Sequence, residues 1–186
     1  TMASGDIAIP KGLRTEGSIR FQTNASGDIE CPTVQCGSFE ADINASGDVE
    51  VQEVNCRKLQ ARINASGDMK INKAVCRDAA LAVNASGDFI LSNLQCQETL
   101  EGTVNGSGDM LVSGRCLKAV LRDNASGDLD AGSLKAEEVD AAVHGSGDLS
   151  CRASQKLTAQ SYGSGNLVYA GNPSQVTKEG KHIYKK

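Results

Sequence analysis

The stretch Asn44-Ala45-Ser46-Gly47-Asp48-Val49-Glu50-Val51-Gln52-Glu53-Val54-Asn55-Cys56-Arg57-Lys58-Leu59-Gln60-Ala61-Arg62-Ile63 decides the fold. Apolar residues stand at Val49 and Val51, at Val54 and Cys56, and at Leu59, Ala61 and Ile63. Within each group the spacing is two, the mark of a half-buried strand whose alternate side chains face a core. The polar pairs Gln52-Glu53 and Arg57-Lys58 separate the groups, and Ser46-Gly47-Asp48 makes the third break. No window keeps the three-and-four spacing of a helix.

The unit repeats. Ser-Gly-Asp begins at Ser4, Ser26, Ser46, Ser66, Ser86, Ser107, Ser126 and Ser146, and Ser164-Gly165-Asn166 is a further copy with one change. Three short strands in a period of roughly 20 residues predict an all-β chain, a single-stranded right-handed parallel β-helix of about eight coils. At about 4.8 Å per coil the rod is roughly 38 Å long. Equivalent residues then form columns: Ile7, Ile29, Val49, Met69, Phe89, Met110, Leu129, Leu149 and Leu167 in one, and Ile43, Ile63, Val83, Val104 and Val143 in another. Asp123 interrupts the second column in a 19-residue unit, where a deletion is expected to alter the local path. Hexapeptide β-helices, calcium-binding nonapeptide rolls and leucine-rich repeats need patterns that are absent. The chain reads as one domain, 1–186, with repeats over 4–166 and a lysine-bearing C-terminal cap over 167–186 that covers the open end.

Composition agrees with a narrow core. Of 186 residues, 39% are hydrophobic, but only three Tyr and three Phe are aromatic, with no Trp. A coil one strand-pair wide fills its interior with Val, Ile, Leu, Met, Ala and Cys, and a ring must fit against its neighbours above and below. The net charge of −4 argues against nucleic acid as a partner, and no apolar run is long enough to span a membrane as a helix.

The corner carries the recurring residues Gly27, Gly47, Gly67, Gly87, Gly108, Gly127 and Gly147, followed by Asp28, Asp48, Asp68, Asp88, Asp109, Asp128 and Asp148. Aligned glycines at a corner suggest positive φ. Ser and Asp beside them can bond the backbone groups that a corner frees. The preceding Asn can form an amide ladder between coils. A row of Ca²⁺ sites is the functional alternative for the Asp column. One carboxylate per coil supplies too few oxygens for a hard cation, so the structural reading is preferred and no metal site is expected.

Cys36, Cys56, Cys76, Cys96 and Cys116 also recur at 20-residue intervals and form one column. CxxC is absent, and zinc ligands converge on a point rather than a line, so a column of buried, inert thiols is expected. Cys31 and Cys151 fall in a different, apolar column. His144 and His182 have no catalytic partner at suitable spacing, and neither a nucleophile elbow nor a phosphate loop is present. Asn24, Asn44, Asn64, Asn84, Asn105 and Asn124 match the glycosylation acceptor pattern only because the repeat creates it. No catalytic residue and no cofactor is expected.

Repeated Ser-Gly-Asp followed by an alternating strand, ending in Asn166-Leu167-Val168-Tyr169-Ala170-Gly171-Asn172-Pro173, resembles the bacterial auto-transporter adhesin, head GIN domain family. The resemblance spans nearly the whole chain. It implies a right-handed parallel β-helix and a cell-envelope location, in the periplasm or on the surface of a Gram-negative bacterium. Asn-Ala-Ser-Gly-Asp in place of the commoner Gly-Ser-Gly-Asp, and the Cys column, set this sequence apart within it. No export signal opens at Thr1, as in a mature or trimmed chain. The expected function is a non-enzymatic, adhesin-like interaction module whose partner is a protein or glycan surface. A scaffold whose coils stack into filaments is the second reading. A carbohydrate-active β-helix enzyme is the third, and it requires a cleft that units of such even length leave no loops to build.

Overall fold

The computed structural model describes residues 5–186; Ser4, which opens the first Ser-Gly-Asp copy, lies outside them. The described residues contain no helix. They form one 18-stranded sheet in which the strand pairings are all parallel. Between the two end coils each strand pairs with its equivalents one repeat before and one repeat after. Val49 lies opposite both Ile29 and Met69, and Ile63 opposite both Ile43 and Val83. The chain is therefore a β-solenoid.

The solenoid has about nine turns rather than eight. The difference lies at the C-terminal end. Residues Gln175–Gly180 pair with Lys156–Ser161, and Ile183–Lys185 pair with Leu167–Tyr169, so the stretch read as a cap continues the ladder. The three apolar groups of a unit are also less separate than their spacing suggests. Val49–Asn55 runs through the Gln52-Glu53 break as one strand, and Met110–Asp123 carries all three groups as a single strand of 14 residues. The polar pairs are bends where the inward phase shifts: Val49, Val51, Val54 and Cys56 are buried, and so are Leu59, Ala61 and Ile63.

The columns enclose one continuous apolar core. Rings enter it only where neighbours make room. Phe89 is fully buried, with Met69 on one side and Met110 on the other in register. Two unbranched, adaptable thioethers can follow the face of a ring as a β-branched pair could not. Phe21 and Phe39 meet edge to face at 5.2 Å, and the position opposite Phe21 is the small Ala41.

Two expectations are corrected. Asp123 does not mark a change of path: it is fully buried and sits in unbroken register between Val104 and Val143. The missing residue is absorbed earlier. Leu91 and Leu94 pair with Val112 and Gly114, so the shorter unit loses its residue in that interval. Gly114 takes φ +129° there, a conformation open to glycine.

The second correction concerns the corner glycines. Among the described residues the glycines at positive φ are Gly12, Gly114, Gly171 and Gly180, and none belongs to a Ser-Gly-Asp copy. What requires glycine at the corner is close approach. A Cβ at Gly47, Gly67 or Gly87 would overlap the carbonyl oxygen of the corner glycine one coil before. The wall is pinched until backbone lies on backbone.

Candidate functional site

The corner is a pair of hydrogen-bond ladders. The amide Nδ2 of Asn44 donates to Oδ1 of Asn24 at 3.0 Å, and the bond recurs from Asn64, Asn84, Asn105 and Asn124 to the Asn one coil before, at 2.8–2.9 Å. His144 and Tyr162 follow Asn124 at the equivalent positions of the next coils, and their rings stack at 5.4 Å. Beside this row, the backbone N–H of each corner Asp donates to Oδ1 of the Asp one coil before. The series runs from Asp28 on Asp6 at 3.0 Å to Asp148 on Asp128 at 2.8 Å, and ends with Asn166 on Asp148. One oxygen of each carboxylate from Asp6 to Asp148 is thereby engaged by the backbone. The carboxylates form a line, and among the described residues no three His, Cys, Asp or Glu side chains converge on a point.

Cys36, Cys56, Cys76, Cys96 and Cys116 lie at the bend between the second and third apolar groups, whereas Cys31 and Cys151 lie in the first group. All seven are unbridged and buried. Burial pushes the Cys56, Cys116 and Cys151 thiols up to about 12 and raises Cys31 and Cys36 as well. Cys76 and Cys96 are in register and share a hydrogen bond, which raises Cys76, with burial adding to it, and lowers Cys96. Cys96 Sγ also lies 3.1 Å from the Arg77 carbonyl oxygen.

The outer surface over this bend is furrowed. A depression of about 410 Å³ covers the N-terminal coils, between Arg14, Gln35 and Asn55 on one side and Gly37, Arg57 and Arg77 on the other. A larger one, about 720 Å³, covers the C-terminal coils. Its floor is Cys116, Ala136 and Ala153, buried and small. One wall is Arg115, Lys135 and Arg152, and the other is Leu117, Glu137 and Ser154. Gly171 and Asn172 line it as well, and Gln97 borders both depressions. The furrow exists because the Cys/Ala slot stays short while the residues on either side are long and exposed.

Charge differs along the furrow. In the N-terminal part Arg77 is held by Glu98 at 2.9 Å, with Asp78 at 3.6 Å. On other faces neighbouring coils also set acid against base, as in Lys70 on Glu50, Lys73 on Glu53 and Arg122 on Asp140. Arg115 and Lys135 instead lie directly opposite each other, and Arg152 precedes Ala153, the partner of Ala136. None of the three makes an ion pair among the described residues; Arg115 donates only to Gln95, at 3.2 Å. The sequence reading missed this row. Aligning the repeats at the position before the Cys slot (Gln35, Asn55, Val75, Gln95, Arg115, Lys135) exposes the change from neutral to cationic.

No helix of the described residues is long and apolar enough to cross a membrane. Residues 72–173 match the family model described as "Putative auto-transporter adhesin, head GIN domain", and residues 1–115 match that of the Toastrack family, each more than half of the chain. No curated protein matches the chain.

Proposed function

The chain belongs to the auto-transporter adhesin, head GIN domain family and, over its N-terminal part, to the Toastrack family, and from that premise we propose that it is a non-catalytic interaction module of the bacterial cell envelope. It acts outside the cytoplasm, in the periplasm or at the surface, as a single solenoid domain over residues 1–186. The observation that supports this reading is the parallel ladder that runs coil on coil from Ile7 to Tyr184, with local register shifts only at Leu91–Leu94 and Ala136–Glu138. Register fixes side chains in rows along the rod, so each face is a preformed, repeating surface that loses little freedom on contact. The corner residues, Gly27 to Gly147 and Asp28 to Asp148, serve the scaffold by close approach and backbone bonding, and the thiol column Cys36 to Cys116 fills the bend beneath the furrow.

The test is direct. The purified chain is passed over immobilised envelope polysaccharides and envelope protein fractions, and the eluted material is assayed for cleavage. Saturable binding with the retained polymer intact supports the module. Time-dependent release of oligosaccharides or peptides by the chain overturns it.

A further inference from the structure

We propose that the C-terminal furrow is a binding site for an anionic polysaccharide, laid along the rod axis with its acidic groups on Arg115, Lys135 and Arg152. The proposal rests on the interaction-module reading and names the partner class of that module.

The argument starts from the row of cations. Two consecutive coils set Arg115 and Lys135 directly opposite each other, about 4.8 Å apart, where like charges repel, and in the next coil Arg152 stands one residue before Ala153, the partner of Ala136. On other faces of the rod the ladder sets an acid beside a base, as at Lys70 and Glu50, Lys73 and Glu53, and Arg122 and Asp140, and removes such repulsion there. Here all three side chains are exposed and without an ion pair among the described residues. A polyanion running over them converts mutual repulsion into attraction at each rung.

The furrow selects among polyanions. Its floor of Cys116, Ala136 and Ala153, one residue from each of three successive coils, leaves a trough of about 720 Å³ rather than a flat wall. No aromatic side chain lines it, so nucleobases find no stacking platform, and the chain as a whole is acidic. An extended acidic peptide presents like-facing side chains every second residue, roughly 6.6 Å apart, out of step with a rise of about 4.8 Å. A polysaccharide carrying one acid per sugar ring has a ring-to-ring rise close to the coil rise, and rotation about its glycosidic bonds can turn successive acids toward one face. Arg115 and Arg152 offer planar forks suited to a carboxylate or sulfate, with Lys135 as a point charge between them. The wall opposite supplies Ser154 as a hydroxyl partner and Leu117, 46% exposed, as apolar surface for a ring face. Glu137, the one acid in the lining, is occupied by Gln155 at 2.8 Å.

The experiment titrates the full chain with polygalacturonate, with a sulfated dextran and with uncharged dextran, by calorimetry at two salt concentrations. The triple variant Arg115→Gln, Lys135→Gln, Arg152→Gln and a control on another face, Lys70→Gln, are run beside it, with thermal melts to verify folding. Expected is salt-sensitive binding to one or both charged glycans, none to dextran, and a loss of about tenfold or more in the triple variant alone. Comparing polygalacturonate with sulfated dextran separates carboxylate from sulfate recognition. The proposal is overturned if neither charged glycan binds, if the folded triple variant binds as well as the parent, or if polyglutamate or single-stranded DNA binds more tightly than both glycans. Failure here while envelope fractions are still retained by the triple variant leaves the module reading intact. Depolymerisation of the bound glycan removes that reading and keeps the furrow.

Discussion

The backbone N–H of Asp68 donates to Oδ1 of Asp48 at 2.7 Å, one coil away. This bond explains why aspartate recurs. At the corner the chain leaves the main-chain ladder, and an N–H that would face solvent finds an acceptor fixed by the coil before. Stacked carboxylates about 4.8 Å apart repel by roughly 0.9 kcal/mol in water before salt screening. A charge-assisted bond to an N–H, about 1.5–3 kcal/mol, outweighs it.

A prediction distinguishes this role from cation binding. Asp48→Ala removes the acceptor of the Asp68 N–H and lowers stability by about 1 kcal/mol, softened by access to water. Asp48→Asn keeps an oxygen at the same place, exchanges the charge-assisted bond for a neutral one and relieves the repulsion from the carboxylates above and below, so its melting temperature stays near the parent's and above that of Asp48→Ala. Asn166, which ends the column, takes this position with its N–H on Asp148 Oδ1. Melts with calcium and with chelator check the pair. A calcium-dependent rise in the parent, absent in Asp48→Asn, contradicts the structural role.

Gly67→Ala is expected to destabilise the solenoid by about 1–3 kcal/mol, because a Cβ there overlaps the Gly47 carbonyl oxygen and meets the Ile43 side chain at 3.0 Å. Gly5 is the control: a Cβ there meets nothing within 4 Å among the described residues, and Gly5→Ala leaves the melting temperature unchanged. Equal effects at the two positions contradict the close-approach explanation.

Period and register were legible in the sequence because each is carried by many copies. An alternation of two, broken at the same places in unit after unit, leaves a parallel stack as its main solution, and Val49, Met69 and Phe89 fall in line without knowledge of a contact. The reason for the corner glycines was not legible. Positive φ and backbone contact both demand glycine, and composition does not separate them. Nor was the fate of Asp123, since a break in an apolar column is equally consistent with a changed path or a buried charge. The row Arg115, Lys135 and Arg152 emerges only once repeats of unequal length are aligned through Gly114 and the register shift between Ala136 and Glu138. The C-terminal strands escaped because they follow the last corner motif and carry mostly exposed residues.

The thiol column gives a prediction about rates. With Cys56, Cys116 and Cys151 raised to about 12, their thiolate at neutral pH is about a thousandfold scarcer than for an ordinary thiol. Native protein treated with iodoacetamide is expected to label these three slowly and all seven rapidly once unfolded. Cys96 goes first, because the bond from Cys76 favours its thiolate and it borders the furrow. Mass spectrometry of the time course reads the order. Fast native labelling of Cys56 or Cys116 contradicts the buried placement.

Asp123 supplies the pH prediction. Its Oδ2 is buried without a hydrogen-bond partner among the described residues, while Oδ1 accepts from the Ala125 N–H. In the same column Thr23 and Ser161 each donate a hydroxyl to a corner glycine carbonyl. The acid form of Asp123 has such a donor; the carboxylate does not. Burial raises its pKa, the Ala125 bond opposes this, and Asp128 and Asp148 add to the rise while His144 opposes it. The folded chain therefore holds this proton more tightly than the unfolded chain. Stability is fullest below the ordinary carboxylate range, falls as pH climbs from about 3.9 through the raised folded value, and stays lower above it. Asp123→Asn, uncharged throughout, is expected to gain about 1–3 kcal/mol over the parent at pH 7 and much less at pH 3.5. Thermal melts of both proteins across that range read the difference. A gain that is the same at every pH contradicts a buried carboxylate, and a loss at pH 7 shows that the charge has a partner.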